Sequence, residues 1–266
     1  MRLLLNFGLP LVFGSLASWG LNVADRFFLR YYSSFSELGI YSVTMSVSAV
    51  ATLFAGIFNT IWAPLVYRWL SEGNINTQKI DDIGEHVLAA IYFAIVGCSM
   101  FSWVVPYLLP NQYAPIEYLL PVCLFSPLLY TLSEVTAVGI SISRRTIFSM
   151  LASVLAMLCN LLGNYLLVPK YGAAGAATST LLSFVLFYVL RTEFSKYVWR
   201  NIATRKTYLV LTLLSIHVLI NLWVLKDSLS VVIISLVLLF LGVLMFPTTI
   251  QASRKTLQGF MSKIWL

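Results

Sequence analysis

Along the chain, apolar runs of roughly twenty residues alternate with short polar stretches, and the pattern repeats from end to end. A helix needs about 20 apolar residues to cross a bilayer core. Windows of about 19 residues resolve the runs into eight spans, at 3–23, 39–62, 87–109, 119–142, 147–168, 172–190, 208–225 and 229–250. Hydrocarbon offers the backbone no water partner, so runs of this length predict helices and not strands. The connections are too short to hold a large soluble domain. The expected fold class is therefore all-α, a polytopic membrane helix bundle. The first run follows Arg2 and looks superficially like a signal peptide. Its apolar stretch exceeds an h-region of about 7–15 residues and no A-x-A site closes it, so it reads as a helix.

Composition narrows this further. Of 266 residues, 59% are hydrophobic and 10% charged, against about 25% charged in soluble domains. Neither a soluble single-domain enzyme nor a disordered chain has that balance. Cys98, Cys123 and Cys159 each sit inside an apolar run, where they read as small buried hydrophobes. Their spacing fits no metal site, and no cofactor is expected.

The net charge of +7 suggests nucleic acid until the basic residues are placed. One set of connections carries Arg2, Arg68, Lys79, Arg144, Arg145, Arg191, Lys196, Arg200, Arg205, Lys206, Arg254, Lys255 and Lys263. The other carries Arg26, Arg30, Lys170 and Lys226. Basic residues mark cytoplasmic loops, which puts both termini in the cytoplasm and explains the charge without nucleic acid. Two basic segments have interfacial character. Between Arg191 and Lys206, basic residues alternate with Phe194, Tyr197 and Trp199. At the C-terminus Leu257, Phe260, Met261, Ile264 and Trp265 recur at helical spacing, with Lys255 and Lys263 opposite.

Candidate chemistry lies with the ionisable and amide groups inside spans, because a charge in hydrocarbon costs about 2.5–3.5 kcal/mol on insertion scales. Glu134 lies near the middle of the fourth span in the run S-E-V-T. It reads either as a carboxyl that protonates or pairs with a cation during transport, or as a neutral group bonded to a neighbouring helix. Asp25, Arg26 and Arg30 form a second group, with Arg26 and Arg30 four apart and so on one helical face. Guanidinium suits lipid phosphate, and an interfacial ion pair is the alternative. Asn160 and Asn164 are four apart in the fifth span, and Asn59 lies in the second. Such amides hold helices together or face sugar hydroxyls. His217 reads as an interhelical contact. The run G-A-A-G-A-A at 172–177 gives a small-residue face for close packing, and Pro64, Pro121, Pro127 and Pro247 are candidate bends. No G-x-x-x-x-G-K-[ST], H-E-x-x-H or G-x-S-x-G motif is present. The acidic residues Asp81 and Asp82, near Glu72, Lys79 and Glu85, read as solvated charge in a short loop.

Three stretches, in order, carry a resemblance. They are L-P-L-V-F-G-S-L at 9–16 with N-V-A-D-R-F-F-L-R at 22–30 and E-L-G-I-Y-S at 37–42; N-T-I-W-A-P-L-V-Y-R-W-L-S-E at 59–72; and N-L-L-G-N-Y-L-L-V-P-K-Y-G-A-A-G-A-A at 160–177. Together they resemble the second half of the Wzx-type oligosaccharide flippases of the multidrug/oligosaccharidyl-lipid/polysaccharide exporter superfamily. The resemblance implies residues 1–195 as the second six-helix lobe, and 196–266 as a basic linker, two trailing helices and an amphipathic tail. It implies translocation of undecaprenyl-diphosphate-linked oligosaccharide across the bacterial inner membrane for O-antigen or a related polysaccharide. In such transporters two bundles rock about a polar cavity. The matched residues are the Asp25–Arg26 pair, Trp62 with Pro64, and Asn160 with Asn164; Arg30 and Glu134 join them on the intramembrane-charge argument. The family has twelve to fourteen helices, so the reading implies a partial chain or one that pairs with a second chain supplying the first lobe. A cation-coupled multidrug exporter of the same superfamily and a membrane glycosyltransferase or polymerase are the alternatives.

Overall fold

A computed structural model describes residues 2–72, 77–225 and 227–264, with side chains for 8–72, 77–225, 227–252, 254, 255 and 258. The described residues form helices and turns and contain no strand. The principal helices are α1 (Arg2–Tyr32), α2 (Phe35–Ser71), α3 (Thr77–Phe101), α4 (Ile116–Thr136, broken at Leu124), α5 (Ile147–Val198), α6 (Arg205–Trp223), α7 (Ser228–Met245) and α8 (Pro247–Ile264). Among the described residues six helices are long and apolar enough to cross a membrane: α2, α3 with its extension to Leu108, α4, α5, α6 and α7. The protein is an all-α polytopic membrane bundle. Its outer surface is apolar, as a lipid-facing surface must be: Phe54, Ile57, Leu162, Leu209, Phe240 and Leu244 are all exposed.

The 52 residues of α5 hold both the fifth and the sixth expected spans. At Gly172 the backbone takes φ +53° and ψ −129°, a region open to glycine alone, and the helix doubles back. The two arms, 147–171 and 173–198, then pack closely. Gly163 faces Ser179, and a Cβ on Gly175 would lie 2.6 Å from the Leu167 carbonyl oxygen. The small-residue run at 172–177 thus brings two backbones together.

Glu37 completes this reversal. Ser34 caps α2 by accepting from the Glu37 backbone N–H at 3.2 Å. In an S-x-x-E capping box the glutamate side chain reaches back to the cap. Here it instead accepts the Ala173 backbone N–H at 2.8 Å, placing a carboxylate at the positive end of the second arm.

α1 runs parallel to the first arm of α5, with Gly14 against Met150, Ser18 donating to Ser153 at 3.2 Å and Gly20 against Met157. α2 packs on α4, where Trp62 donates to the Glu134 backbone carbonyl at 3.2 Å. The break in α4 has a local cause: Pro127 has no N–H for the Cys123 carbonyl, and the Ser126 hydroxyl donates to it instead at 3.1 Å. α6 packs on α3 and α4, and α7 lies along α3, with Tyr92 donating to the Leu238 carbonyl at 2.6 Å.

One end of the bundle collects the α1–α2 turn, the Gly172 reversal and the start of α4, where Ser228 donates to Glu117 at 2.8 Å. Nearby Asp227 caps α7, and the Ser230 hydroxyl and backbone N–H hold its carboxyl below the usual range. The other end collects ion pairs. Arg200 meets Asp81 at 2.5 Å and Lys206 meets Glu85 at 2.6 Å. Asp81 and Glu85, expected as solvated loop charge, therefore tie α3 to the 199–206 segment. Arg191 also departs from its expected loop: the helix continues to Val198, and Arg191 is 8% exposed inside the bundle. Without it, twelve basic residues remain in the set assigned to the cytoplasm. The side chains of the amphipathic tail at Leu257, Phe260, Met261, Lys263, Ile264 and Trp265, and Lys226 in the α6–α7 connection, lie outside the described residues.

The reversal yields a direct prediction. Gly172→Ala forces an L-residue into a glycine-only conformation, with its Cβ 2.5 Å from a Glu37 oxygen. It is expected to cost at least about 1–3 kcal/mol, read as a lowered Tm of the purified protein in detergent. An unchanged Tm would contradict this account of the turn.

Candidate functional site

Two polar clusters lie inside the apolar bundle, and the residues singled out in the sequence divide between them. The first centres on Asp25, which is 1% exposed. Its Oδ2 accepts from the Tyr41 hydroxyl and from Thr180 Oγ1 at 2.6 Å. Its Oδ1 accepts from Asn164 Nδ2 at 2.6 Å and Asn160 Nδ2 at 3.1 Å. Asn164 also donates to Asn160 Oδ1 at 3.0 Å, and Ser179 donates to the Asn160 carbonyl at 3.0 Å. Four neutral donors from α2 and both arms of α5 therefore converge on one carboxylate of α1. A carboxylate is an acceptor with about four lone-pair positions, which this arrangement occupies.

Asp25 makes no ion pair with Arg26 or Arg30. Helical spacing turns Asp25 inward and carries both arginines to the exposed surface, where neither bonds to a described residue. Asn160 and Asn164 are fully buried. Trp62 is buried too, stacked on Phe58 and edge-on to Trp69, whereas Pro64 is exposed on α2. His217 contacts Asn221 on its own helix at 3.2 Å.

The second cluster centres on Arg191. Its Nη1 donates to Glu134 Oε1 at 2.7 Å and to Ser133 Oγ at 2.7 Å. The guanidinium lies over the rings of Phe187, at 5.1 Å, and Tyr130, at 5.9 Å, which are themselves stacked. Glu134 is thus bonded to a neighbouring helix, as one half of an ion pair with Arg191. Glu134 retains 27% side-chain exposure while Arg191 retains 10%.

Two cavities flank Tyr130. One, of about 300 Å³, lies between α1, α2, α4 and α5, with Asn22, Ser48, Asn59 and Ser126 among its polar lining. The buried Asn59 Oδ1 there has no partner. The other, of about 360 Å³, is lined by Arg191, Tyr130, Phe187 and a set of serines from α1 and the start of α5. Among the described residues no three His, Cys, Asp or Glu side chains gather where a metal ion could bind.

Sequence reading missed Tyr41 and Thr180 as partners of Asp25, because each sits in an unremarkable part of its span. It missed Arg191 because a basic residue after the run L-L-S-F-V-L-F-Y-V-L reads as a span boundary. The pattern that follows, T-E-F-S-K-Y-V, continues the helical face and is the signal that the span had not ended.

The Asp25 cluster orders the effects of substitution. Asp25→Ala leaves four donors facing a void, at about 1–3 kcal/mol for each donor left buried without an acceptor, and is expected to lower Tm sharply. Tyr41→Phe removes one donor and is expected to cost about 0.5–1.5 kcal/mol. Equal Tm values for the two variants would contradict the central place of the carboxylate.

No family model matches the chain, and no solved structure matches it. Among curated proteins it is similar to one from Haloferax volcanii named "Probable low-salt glycan biosynthesis flippase Agl15", at 21% identity over 198 residues. The match covers 73% of this chain and 42% of the relative, so the chain spans well under half the length of the protein it matches.

Proposed function

We propose that this chain is a transport lobe that moves a lipid-linked glycan across a membrane, and is not an enzyme. One observation carries the reading: an apolar bundle encloses cavities lined by hydroxyls, amides and a buried guanidinium, in a chain similar to a protein named as a glycan flippase. Polar groups inside a lipid-facing bundle are costly, and cavities lined by them suit a polar cargo on an apolar anchor. At the finer level the reading is the one carried by the motifs. The substrate is an undecaprenyl-diphosphate-linked oligosaccharide, the membrane is the bacterial inner membrane with both termini cytoplasmic, and the product is O-antigen or a related polysaccharide.

In this scheme Arg26 and Arg30, exposed on one face of α1, meet the diphosphate. Glu134, with Trp62 and Pro64 on the adjoining helix, borders the path of the glycan. Asp25, Asn160 and Asn164 hold α1, α2 and α5 in the geometry that path requires. Residues 1–195 form the transport lobe and 196–266 an appended segment. Alternating access needs two bodies around one site, so a second lobe, on this chain's continuation or on another chain, is part of the proposal.

Proteoliposomes carrying the chain and a fluorescent undecaprenyl-diphosphate oligosaccharide test it, with an impermeant glycosidase reporting which leaflet holds the sugar. The chain is expected to speed translocation over empty liposomes. Arg26→Ala with Arg30→Ala together is expected to reduce the rate by about tenfold or more, the effect of losing about 1.4 kcal/mol of binding. Transport of a cationic dye with indifference to the glycan lipid would replace this reading with the exporter alternative.

A further inference from the structure

The chamber beside Arg191 has a chemistry of its own. Arg191 is nine-tenths buried, yet its Nε–H has no partner. Ser15, Ser141 and Ser149 line the same chamber with hydroxyls that bond to nothing among the described residues. One wall is aromatic, formed by Tyr130 and Phe187. At about 360 Å³ the space falls in the range of ligand pockets, about 300–1,000 Å³.

Charge decides what fits. Glu134 already neutralises the guanidinium at 2.7 Å, so the chamber presents a balanced pair and not a free cation. A diphosphate entering it would displace Glu134 or remain as unmatched charge among buried groups, and either is unfavourable. A sugar ring has no such conflict. Each hydroxyl both donates and accepts, so one ring can accept from the Arg191 Nε–H, exchange hydrogen bonds with the serines and lay its C–H face on the aromatic wall.

We propose that this chamber receives a neutral sugar ring of the lipid-linked glycan and not its diphosphate, with Arg191 as a specificity-determining residue and Glu134 as the residue that positions it. The proposal rests on the flippase reading and adds the division of the substrate: sugar beside Arg191, diphosphate elsewhere.

The test uses the full chain in nanodiscs and two fluorescent probes, undecaprenyl diphosphate bearing a neutral trisaccharide and undecaprenyl diphosphate bearing none. Ser141→Phe fills the chamber from an exposed position, and Arg191→Lys keeps the charge while removing the Nε–H. Each is expected to weaken binding of the sugar-bearing lipid about tenfold and to leave the bare lipid unaffected. Ser141→Ala, which leaves the space open and removes a single hydroxyl, is expected to weaken the sugar-bearing lipid far less than Ser141→Phe does and to leave the bare lipid unaffected. That control separates occupancy from folding.

Equal weakening for both lipids would place the diphosphate in the chamber, and unchanged binding of both would leave the chamber without substrate. Either result overturns the proposal while the flippase reading stands. An unsubstituted chain that binds neither lipid rejects the flippase reading itself, and the proposal with it.

Discussion

The Asp25 carboxylate is the contact on which the bundle's geometry turns. It sits on α1, and its four donors come from α2, from the first arm of α5 and from the second. In lipid no apolar driving force presses one helix on another, so packing and interhelical hydrogen bonds set their arrangement. A carboxylate with every acceptor position engaged specifies that arrangement tightly, since a rotation or slide of any of these helices strands a buried polar group. The close backbone approach of the α5 arms at Gly163 and Gly175 and the reversal at Gly172 bring Asn160 and Thr180 within reach of it.

From that anchor the polar interior divides by role. Around Asp25 all four donors meet the carboxylate, and one buried acceptor, Asn164 Oδ1, has no partner. Around Arg191 the ion pair with Glu134 is matched in charge but incomplete in hydrogen bonding, and a cavity lies beside it. Tyr130 separates that cavity from the one reached by Asn22 and Asn59. A closed node and an open chamber on the same helices fit the transport lobe proposed above.

Much of this was legible in the sequence, and the exceptions have physical causes. The apolar runs identify the helices because lipid permits nothing else, and the sixth span's glycine opening marks the reversal at Gly172. Asn160 and Asn164 signalled a buried polar contact by their spacing alone. Asp25, Arg26 and Arg30 were read together because they are adjacent in sequence, but a helix turns successive residues by about 100°, so one faces in and two face out. The Arg191–Glu134 pair was hidden because each partner makes sense alone, one as a boundary charge and the other as an isolated carboxyl. Only the fold joins positions 57 residues apart. Glu37 was legible as part of a motif, but its role as cap to a distant helix arm was not.

Cysteine accessibility tests the division into closed node and open chamber most directly. In a chain with Cys98, Cys123 and Cys159 replaced, a membrane-impermeant maleimide is applied to Ser141→Cys, lining the chamber, and to Ser179→Cys, 1% exposed beside the Asp25 node. Rapid labelling is expected at position 141 and protection at 179. Labelling at both positions at the same rate would contradict that division.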